Sequence, residues 1–168
     1  MKNPILKKLR RVDHSVRNNF SATGYSAPSN IGSIFKWVPL LSVFAFDLGG
    51  IKTKNNFKSA LAIIGFSEGL LNAIVLPVKK ITKRRRPDDF FKYNSFPSGH
   101  TATSFMGAEI LHEELKEEAP LYSLSGYAFA ITTATLRLYK KKHWLSDVIA
   151  GAAIGIITAR ISYSLLRK

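Results

Sequence analysis

Long apolar segments separated by short charged loops make up most of the chain. Five such segments lie at residues 31–50, 57–78, 99–115, 121–139 and 145–166, and each holds only one to three charged residues. Each approaches the roughly 20 residues that an α-helix needs to cross about 30 Å of hydrocarbon. The segment 99–115 is the least apolar and is rich in small and hydroxyl residues, so it has to be shielded by its neighbours. The pattern predicts an all-α fold, a polytopic membrane helix bundle with about five transmembrane helices.

The first 30 residues follow a different pattern, in which apolar residues at helical spacing alternate with Lys and Arg. The apolar positions are Ile5, Leu6, Leu9, Val12 and Val16. We therefore expect 1–30 to form a basic amphipathic helix in the membrane interface followed by a loop at 21–30, and 31–168 to form a membrane-embedded domain. A soluble helix packed on the domain through the same stripe is the alternative. No apolar run follows the basic N-terminus, so no cleaved signal peptide is expected.

Glycine pairs and isolated charges within the apolar segments indicate how the helices pack together. Residues 65–69 and 151–155 each begin and end with glycine, a spacing that lets helices approach closely. Glu68 and Arg160 lie inside apolar segments, where charged groups usually face the bundle interior or pair with one another. We expect Glu68 to face the interior and Arg160 to snorkel or to pair with another helix.

The charge of the chain narrows the classes of protein. Lys and Arg number 25 against 11 acidic residues, a net charge of +14 at pH 7. Such a balance is typical of nucleic-acid binders and of proteins that work at anionic membranes or on phosphorylated substrates. The charges lie in blocks between the apolar segments, which indicates a membrane protein. There is no cysteine, so disulfides and thiolate chemistry are excluded.

The order of the apolar segments decides which loops share a membrane face. If all five cross, the loops 79–98 and 137–147 lie on one face with the N-terminal tail, and the 51–56 loop and the acidic turn 112–120 lie on the other. The first face then carries 17 of the 25 Lys and Arg residues, and the positive-inside rule places it in the cytoplasm. Alternation alone therefore brings the two basic loops together.

Basic residues at the start of the 79–98 loop have a spacing suited to a phosphate. Lys79 ends an apolar segment, and Arg86 follows seven residues later, with Pro87 fixing the backbone after it. Arginine offers a rigid fork for two phosphate oxygens and lysine a point charge for a third. The remaining cations of this run are interpreted as surface charge attracted to anionic lipid headgroups. They are Lys80, Lys83, Arg84 and Arg85.

The tetrapeptide Pro97-Ser98-Gly99-His100 opens the apolar segment 99–115. Ser98 is placed to cap this helix, and Gly99 lets a ligand approach the backbone at the helix N-terminus, where free N–H groups favour an anion. His100 on the first turn is a candidate to protonate a leaving oxygen. An ordinary serine cap beside a surface histidine is the alternative.

Three further polar residues flank the 137–147 loop. Arg137 ends the fourth apolar segment, and His143 and Asp147 stand four residues apart at the start of the fifth, on one face of a helix. A carboxylate can bond one ring nitrogen of a histidine and support positive charge while the other nitrogen attacks. The alternative is an exposed His143 with Asp147 as a cap. A metal site would need a second nearby carboxylate or histidine, and the many cations favour metal-independent phosphate chemistry.

Together these groups resemble the tripartite signature of the type 2 phosphatidic acid phosphatases, membrane relatives of bacterial acid phosphatases and vanadium haloperoxidases. The matching residues are Lys79-x6-Arg86-Pro87, Pro97-Ser98-Gly99-His100 and Arg137-x5-His143-x3-Asp147. The resemblance covers about residues 30–168 and is specific, because three motifs occur in order with the right internal spacing. It implies a metal-independent phosphatase without a cofactor and makes 31–168 a phosphatase domain.

The resemblance also implies a role for each matching residue. His143 would be the nucleophile that forms a phosphohistidine, Asp147 would orient and polarise it, and His100 would be the general acid. The phosphoryl oxygens would be bound by Lys79, Arg86, Ser98, the Gly99 amide and Arg137. Two positions depart from the family pattern: Leu136 stands where serine is usual, and Lys142 where a small residue is common. These departures bear on substrate preference more than on activity.

The expected function is hydrolysis of a phosphomonoester or diphosphate on a lipid: phosphatidate, phosphatidylglycerophosphate, an isoprenyl diphosphate or a lipid A phosphate. The expected partners are this lipid phosphate and the bilayer, with no nucleic acid, and the oligomeric state is left open. The resemblance implies a bacterial inner (cytoplasmic) membrane protein whose site faces the periplasm or exterior, and we follow it against the positive-inside rule. The alternative is a non-enzymatic basic membrane protein that gathers anionic lipid or nucleic acid. That alternative leaves the spacing of the histidines and Asp147 unexplained.

Overall fold

The structure is a computed structural model, and the residues that it describes form eight helices. The described residues are 4–22, 31–89 and 91–166, so most of the expected 21–30 loop lies outside them. The helices are α1 Pro4–Ala22, α2 Ile31–Phe35, α3 Val38–Leu48, α4 Phe57–Thr82, α5 Gly99–Leu115, α6 Pro120–Ser123, α7 Ser125–Tyr139 and α8 Leu145–Leu166. No strand occurs among the described residues, and the all-α prediction is confirmed.

The central helix is α5, which packs against α2, α3, α4, α6, α7 and α8. Most of its residues are buried, including the small or hydroxyl residues Thr101, Ala102, Ser104 and Gly107. Small side chains let several helices approach one axis closely. The expectation that this least apolar segment is shielded by its neighbours is therefore confirmed.

Two glycines of α8 allow its close approach to α5. A Cβ added at Gly151 would lie 2.5 Å from the Ser98 carbonyl oxygen, and one at Gly155 would lie 2.8 Å from the Met106 amide nitrogen. Side chains are excluded at both positions, so the helix backbones can touch. By contrast, a Cβ added at either glycine of 65–69 meets nothing within 4 Å. The expectation of close packing is right for 151–155 and wrong for 65–69, because spacing alone does not place a partner helix against the glycines.

Two of the expected segments are interrupted. The first is divided into α2 and α3 by a turn at Lys36 and Trp37, and Pro39 near the start of α3 has no N–H to continue a helix. The fourth is divided into α6 and α7 at Leu124. Two described helices, α4 with 26 residues and α8 with 22, are long and apolar enough to cross a membrane. The arrangement with five crossing helices stays a prediction.

Apolar side chains point outward along both of these long helices. Leu61 and Leu76 of α4 are 52% and 53% exposed, and Ile149 and Leu165 of α8 are 60% and 66% exposed. Contiguous exposed apolar surface marks a region that contacts lipid or another protein.

The isolated charges of the apolar segments find polar partners. Arg160 Nε donates to Glu109 Oε1 of α5 at 2.7 Å, so Arg160 pairs with another helix, as expected. Glu68 Oε1 lies 3.4 Å from the Thr103 hydroxyl of the central helix, so Glu68 faces the bundle interior.

The 51–56 loop lies against the acidic turn 112–120 at the end of the bundle where α5 ends. Lys54 Nζ is 2.5 Å from Glu117 Oε1. The backbone N–H of Asn55 donates to the Glu114 carboxylate at 2.9 Å. These contacts join the two segments that alternation of helices places together.

Candidate active site

The two basic loops meet at the opposite end of the bundle. Helix α4 ends before Lys83, whose left-handed φ of 42° turns the chain away from the helix axis. The loop that follows returns to the start of α5, where the backbone N–H of Ser98 donates to the Asp147 carbonyl oxygen at 3.0 Å. The expected meeting of 79–98 with 137–147 is confirmed.

His143 is held by a backbone carbonyl of the first loop. Its side chain is almost fully buried, and Nδ1 lies 2.8 Å from the Ser95 carbonyl oxygen. A carbonyl only accepts hydrogen bonds, so Nδ1 carries the proton and Nε2 keeps its lone pair. Asp147 Oδ2 is 3.6 Å from Nδ1, beyond hydrogen-bond distance. The direct bond expected between the carboxylate and the ring is therefore replaced by the Ser95 carbonyl.

The Asp147 carboxylate is fully buried and accepts hydrogen bonds from three other residues. Its Oδ2 accepts from the Ser95 hydroxyl at 2.5 Å and from the Trp144 backbone N–H at 2.9 Å. Its Oδ1 accepts from Arg84 Nη1 at 2.6 Å. Asp147 thus acts on His143 in two ways, as a nearby negative charge and by holding Ser95, whose carbonyl holds the ring.

Arg84 has a place in the site that the sequence interpretation missed. Its Nη1 reaches Asp147, and its Nη2 donates to Asp13 Oδ2 of α1 at 2.7 Å. The interpretation of Arg84 as lipid-facing surface charge is wrong. In a run of three arginines nothing distinguishes the one that turns inward. Asp13 did carry a signal, since it is the single acidic residue among the first 46.

Lys79 and Arg86, two of the expected phosphate ligands, both contact Asn94 of the loop. Lys79 Nζ donates to the carbonyl oxygens of Asn94 at 2.8 Å and of Pro97 at 2.6 Å. Arg86 Nε donates to Asn94 Oδ1 at 2.8 Å. These bonds fold the loop over the end of α4 and gather two cations around one residue.

Arg137 is the expected phosphate ligand with an unmatched donor. The residue is 7% exposed, and its buried Nε has no hydrogen-bond partner among the described residues. Burying a guanidinium without a full set of partners is costly, so such a group indicates a place for an anion. The backbone carbonyl of Arg137 accepts a hydrogen bond from the Lys142 N–H at 3.0 Å, so Arg137 lies at the start of the loop that contains His143.

The tetrapeptide before α5 differs in detail from the expectation. Ser98 occupies the N-cap position, but its hydroxyl bonds the Thr101 hydroxyl at 2.9 Å and does not cap the backbone. A Cβ added at Gly99 would meet nothing nearer than Val75 at 4.0 Å, so the backbone there is open to approach. His100 Nε2 lies 3.3 Å from the Ser33 hydroxyl of α2, a contact without a sequence signal.

The two departures from the family pattern have structural counterparts. Leu136 packs beside Gly32 of α2, where an added Cβ would lie 3.7 Å from the leucine Cβ. Lys142 Nζ forms a short ion pair with Asp88 of the other basic loop. The extra charge of Lys142 is therefore paired across the two loops.

Burial lowers the pKa of His143 below its ordinary 6.5. The cations Arg86 and Arg137 act in the same direction, while the Asp147 carboxylate opposes them. Burial is the largest of these causes, so the ring is neutral at neutral pH. A neutral imidazole with its proton on Nδ1 is the form that can attack an electrophile through Nε2.

A family model accounts for most of the chain. Residues 60–168 match the model of the PAP2 superfamily, and the chain belongs to this superfamily. The resemblance carried by the three motifs is thereby confirmed.

Two curated relatives match over part of their length. The lipid A 1-phosphatase of Porphyromonas gingivalis is 34% identical over 154 residues, which cover 90% of this chain and 34% of the relative. The probable lipid phosphate phosphatase 4 of Arabidopsis thaliana is 34% identical over 97 residues, which cover 51% of this chain and 29% of the relative. The chain thus spans about a third of the length of these relatives.

Two solved structures share the architecture. LpxE of Aquifex aeolicus superposes with a TM-score of 0.62 at 20% identity, covering 95% of this chain and 94% of that one. The first transmembrane PAP2 type phosphatidylglycerolphosphate phosphatase from Bacillus subtilis superposes with a TM-score of 0.69 at 15% identity, covering 98% and 87%. At these identities the likeness establishes a common fold.

Proposed function

We propose that this protein is an integral membrane phosphatase that hydrolyses a phosphomonoester or diphosphate on a lipid through a phosphohistidine on His143. The observation that carries the proposal is the commitment of the Nδ1 proton to the Ser95 carbonyl, which leaves Nε2 free to attack. The unmatched Nε of Arg137 supports it by offering a buried donor to an anion near the same loop.

The first step transfers the phosphoryl group from the lipid to the enzyme. His143 Nε2 attacks phosphorus in line with the leaving oxygen, and the bond between phosphorus and that oxygen breaks. His100, in its protonated form beside the bound phosphate, gives its proton to the leaving oxygen, so the lipid departs as an alcohol, or as a monophosphate when the substrate is a diphosphate. Asp147, 3.6 Å from Nδ1, compensates the positive charge on the ring.

The second step returns the enzyme to its starting state. Water attacks phosphorus, His100 takes the proton of that water, and the P–N bond breaks to release inorganic phosphate and neutral His143. Lys79, Arg86 and Arg137, with Ser98 and the Gly99 amide, bind the phosphoryl oxygens in both steps. These protein cations supply the charge stabilisation, so the reaction we propose uses no metal ion.

The surface of the protein supports a place in the bilayer for the whole domain. Helix α1 buries Asp13 against the site while Leu9 and Val12 are 47% and 43% exposed, which favours an interfacial helix over one packed through its apolar stripe. We propose five crossing segments, with the site at the periplasmic or exterior face of a bacterial inner membrane. The orientation is tested with Lys92→Cys, which gives the protein its single cysteine: a membrane-impermeant thiol reagent should label this variant in intact cells, and labelling only after lysis would contradict the orientation.

The relatives favour one substrate among the candidates. The lipid A 1-phosphatase matches 90% of this chain, and we therefore place a phosphate of lipid A first, before phosphatidylglycerophosphate, phosphatidate and an isoprenyl diphosphate. Phosphate release from each lipid should be measured with purified protein in detergent, with and without EDTA, beside a His143→Ala variant. We expect release from at least one lipid, resistance to EDTA, and loss of release in the variant. Equal release by both proteins would overturn the proposed mechanism.

A further inference from the structure

Asp13 is a buried carboxylate on a helix that otherwise has the pattern of a membrane-surface element. It is 4% exposed, and both of its oxygens are occupied. Oδ1 accepts from the Ser146 backbone N–H at 2.9 Å, and Oδ2 accepts from the Ser146 hydroxyl at 2.8 Å and from Arg84 Nη2 at 2.7 Å. An acidic side chain seldom loses its water without a specific partner, so these contacts define how α1 sits on the site.

The Arg84 guanidinium connects this helix to the site. Its two terminal nitrogens bind two carboxylates, Nη2 that of Asp13 and Nη1 that of Asp147, and Nη1 also donates to the Ser146 hydroxyl at 2.7 Å. A planar guanidinium held at both ends has little freedom to rotate. The Trp144 ring lies 5.5 Å from the Arg84 guanidinium carbon and packs edge-on to His14 of α1, which gives the helix a second contact at the same place.

We propose that Asp13 and Arg84 are positioning residues for the nucleophile, so that α1 forms part of the active site. The chain of contacts runs from Asp13 to Arg84, Asp147 and Ser95, and ends at His143 Nδ1. This inference rests on the proposed function, because it assigns the contacts to the orientation of a catalytic histidine. Arg84 and Asp13 themselves touch no reacting atom.

The physical reason lies in the burial of Asp147. Arg84 is the one cation within ion-pair distance of this carboxylate among the described residues. Without it the carboxylate has to shift or draw in water, and either change moves the Ser95 hydroxyl. Without Asp13 the guanidinium loses one of its two anchors and holds Asp147 less firmly.

The test compares turnover, substrate affinity and product affinity in four variants: Asp13→Asn, Arg84→Gln, Arg84→Lys and the double variant Asp13→Asn/Arg84→Gln. Misplacing a catalytic group by about 1 Å can cost about 100-fold in rate, so we expect kcat to fall about 10- to 100-fold in Arg84→Gln and less in Asp13→Asn. KM and the inhibition constant of inorganic phosphate should stay within about twofold, because the phosphate ligands are untouched. The double variant should be no slower than Arg84→Gln, since both residues act through one contact chain.

The pH profile separates positioning from a merely structural role. Removing the Arg84 cation leaves the negative charge of Asp147 less compensated, which favours the protonated His143 and raises its pKa. The acid limb of kcat/KM should therefore move to higher pH in Arg84→Gln and stay in place in Arg84→Lys, which keeps the charge. Arg85→Gln is the matched control, because it removes the neighbouring charge from a residue with no bond to Asp147, and it should leave kcat and the limb unchanged.

The inference would be overturned if kcat fell no further in Arg84→Gln than in Arg85→Gln, or if Arg84→Gln changed KM and not kcat. It would also be overturned if the fall in kcat in the double variant were the product of the falls in the two single variants. If Arg84→Gln does not fold, Asp13→Asn and Arg84→Lys decide the matter by the same readouts. If the wild-type protein releases no phosphate from any lipid, the proposed function fails. The inference is then decided by NMR titration of the His143 ring, whose pKa should rise in Arg84→Gln and not in Arg85→Gln.

Discussion

The Nδ1 atom of His143 lies 2.8 Å from the backbone carbonyl oxygen of Ser95. A single residue therefore joins the two basic loops by both its backbone and its side chain, since the Ser95 hydroxyl also donates to Asp147 Oδ2 at 2.5 Å. Replacing the side chain leaves the carbonyl in the chain but removes the bond that fixes its position. The relationship makes the role of Ser95 open to a direct test.

We expect Ser95→Ala to lower kcat by about 10-fold or more, because a hydrogen bond to a charged group contributes about 1.5–3 kcal/mol and the buried carboxylate is left with one acceptor site unfilled. KM should change little, since Ser95 is not among the expected phosphate ligands. The measurement is steady-state phosphate release from whichever of the four candidate lipids the wild-type protein hydrolyses fastest.

Ser125→Ala is the control for this change. Ser125 also carries a hydrogen-bonded hydroxyl, which donates to the Tyr122 carbonyl oxygen, but it lies at the start of α7, at the other end of that helix from Arg137. Equal rates in Ser95→Ala and Ser125→Ala would show that the tether between the loops is not needed for catalysis.

The pH dependence of the reaction should reflect the lowered pKa of His143. Burial disfavours the charged ring, so the neutral nucleophile persists as the pH falls below 6.5 and is lost only when the pH passes the lowered pKa. In Asp147→Asn the carboxylate that raises this pKa is gone, and the acid limb should move further toward acid while kcat falls. The profile of kcat/KM for both proteins checks this.

Substrate ionisation is common to both proteins, so the difference between their profiles reports on the enzyme. NMR titration of the His143 ring without substrate gives an independent value. A ring pKa at or above 6.5 in the wild-type protein would contradict the interpretation of burial as the dominant influence.

Much of the helix order was predictable, because apolar segments of spanning length have few other structures open to them. The meeting of the two basic loops was predictable as well, since alternation of helices places them on one face. The interruptions at Lys36 and Leu124 were missed, because short breaks leave the apolar pattern almost unchanged.

Part of the candidate site was also predictable from the sequence, and part was not. The positions of His143 and Asp147 follow from their spacing, but the Ser95 carbonyl that binds the ring could not be foreseen, since a backbone oxygen carries no residue signature. Arg84 lies among like residues, and only the three-dimensional path of the loop turns it toward Asp147. Asp13 was the exception, because a lone acid in a basic helix is a visible anomaly.

Arg137→Gln should separate phosphate binding from stability. The buried Nε has no partner in the described part of the chain, so burial of the charge is costly, and a bound anion would offset this cost. We expect kcat/KM to fall about 100-fold, as is usual when a donor to a developing charge is lost. The thermal midpoint without phosphate should be unchanged or higher.

Inorganic phosphate provides the second measurement for Arg137. A ligand that binds the folded state raises the midpoint, so phosphate should stabilise the wild-type protein and the Arg85→Gln control but not Arg137→Gln. Equal stabilisation of all three would exclude Arg137 as a phosphate ligand.

The contact between α5 and α8 can be tested at Gly155, with Gly65 as the control. Each belongs to a pair of glycines four residues apart, but only Gly155 lies against another helix. A methyl group at Gly155 would lie 2.8 Å from the Met106 amide nitrogen and closer still to the Ala102 carbonyl oxygen, both backbone atoms that cannot rotate away. Gly155→Ala should therefore separate the helices and lower the unfolding free energy by about 1–3 kcal/mol, the usual cost of overpacking. Activity should fall too, because α8 begins beside His143 and carries Asp147.

Gly65→Ala is the control. No atom lies within 4 Å of the added methyl group, so this change should leave the unfolding free energy within about 0.5 kcal/mol and activity unchanged. Denaturant unfolding in detergent measures both, and similar losses at the two positions would show that the close approach of α8 to α5 is not what holds the site together.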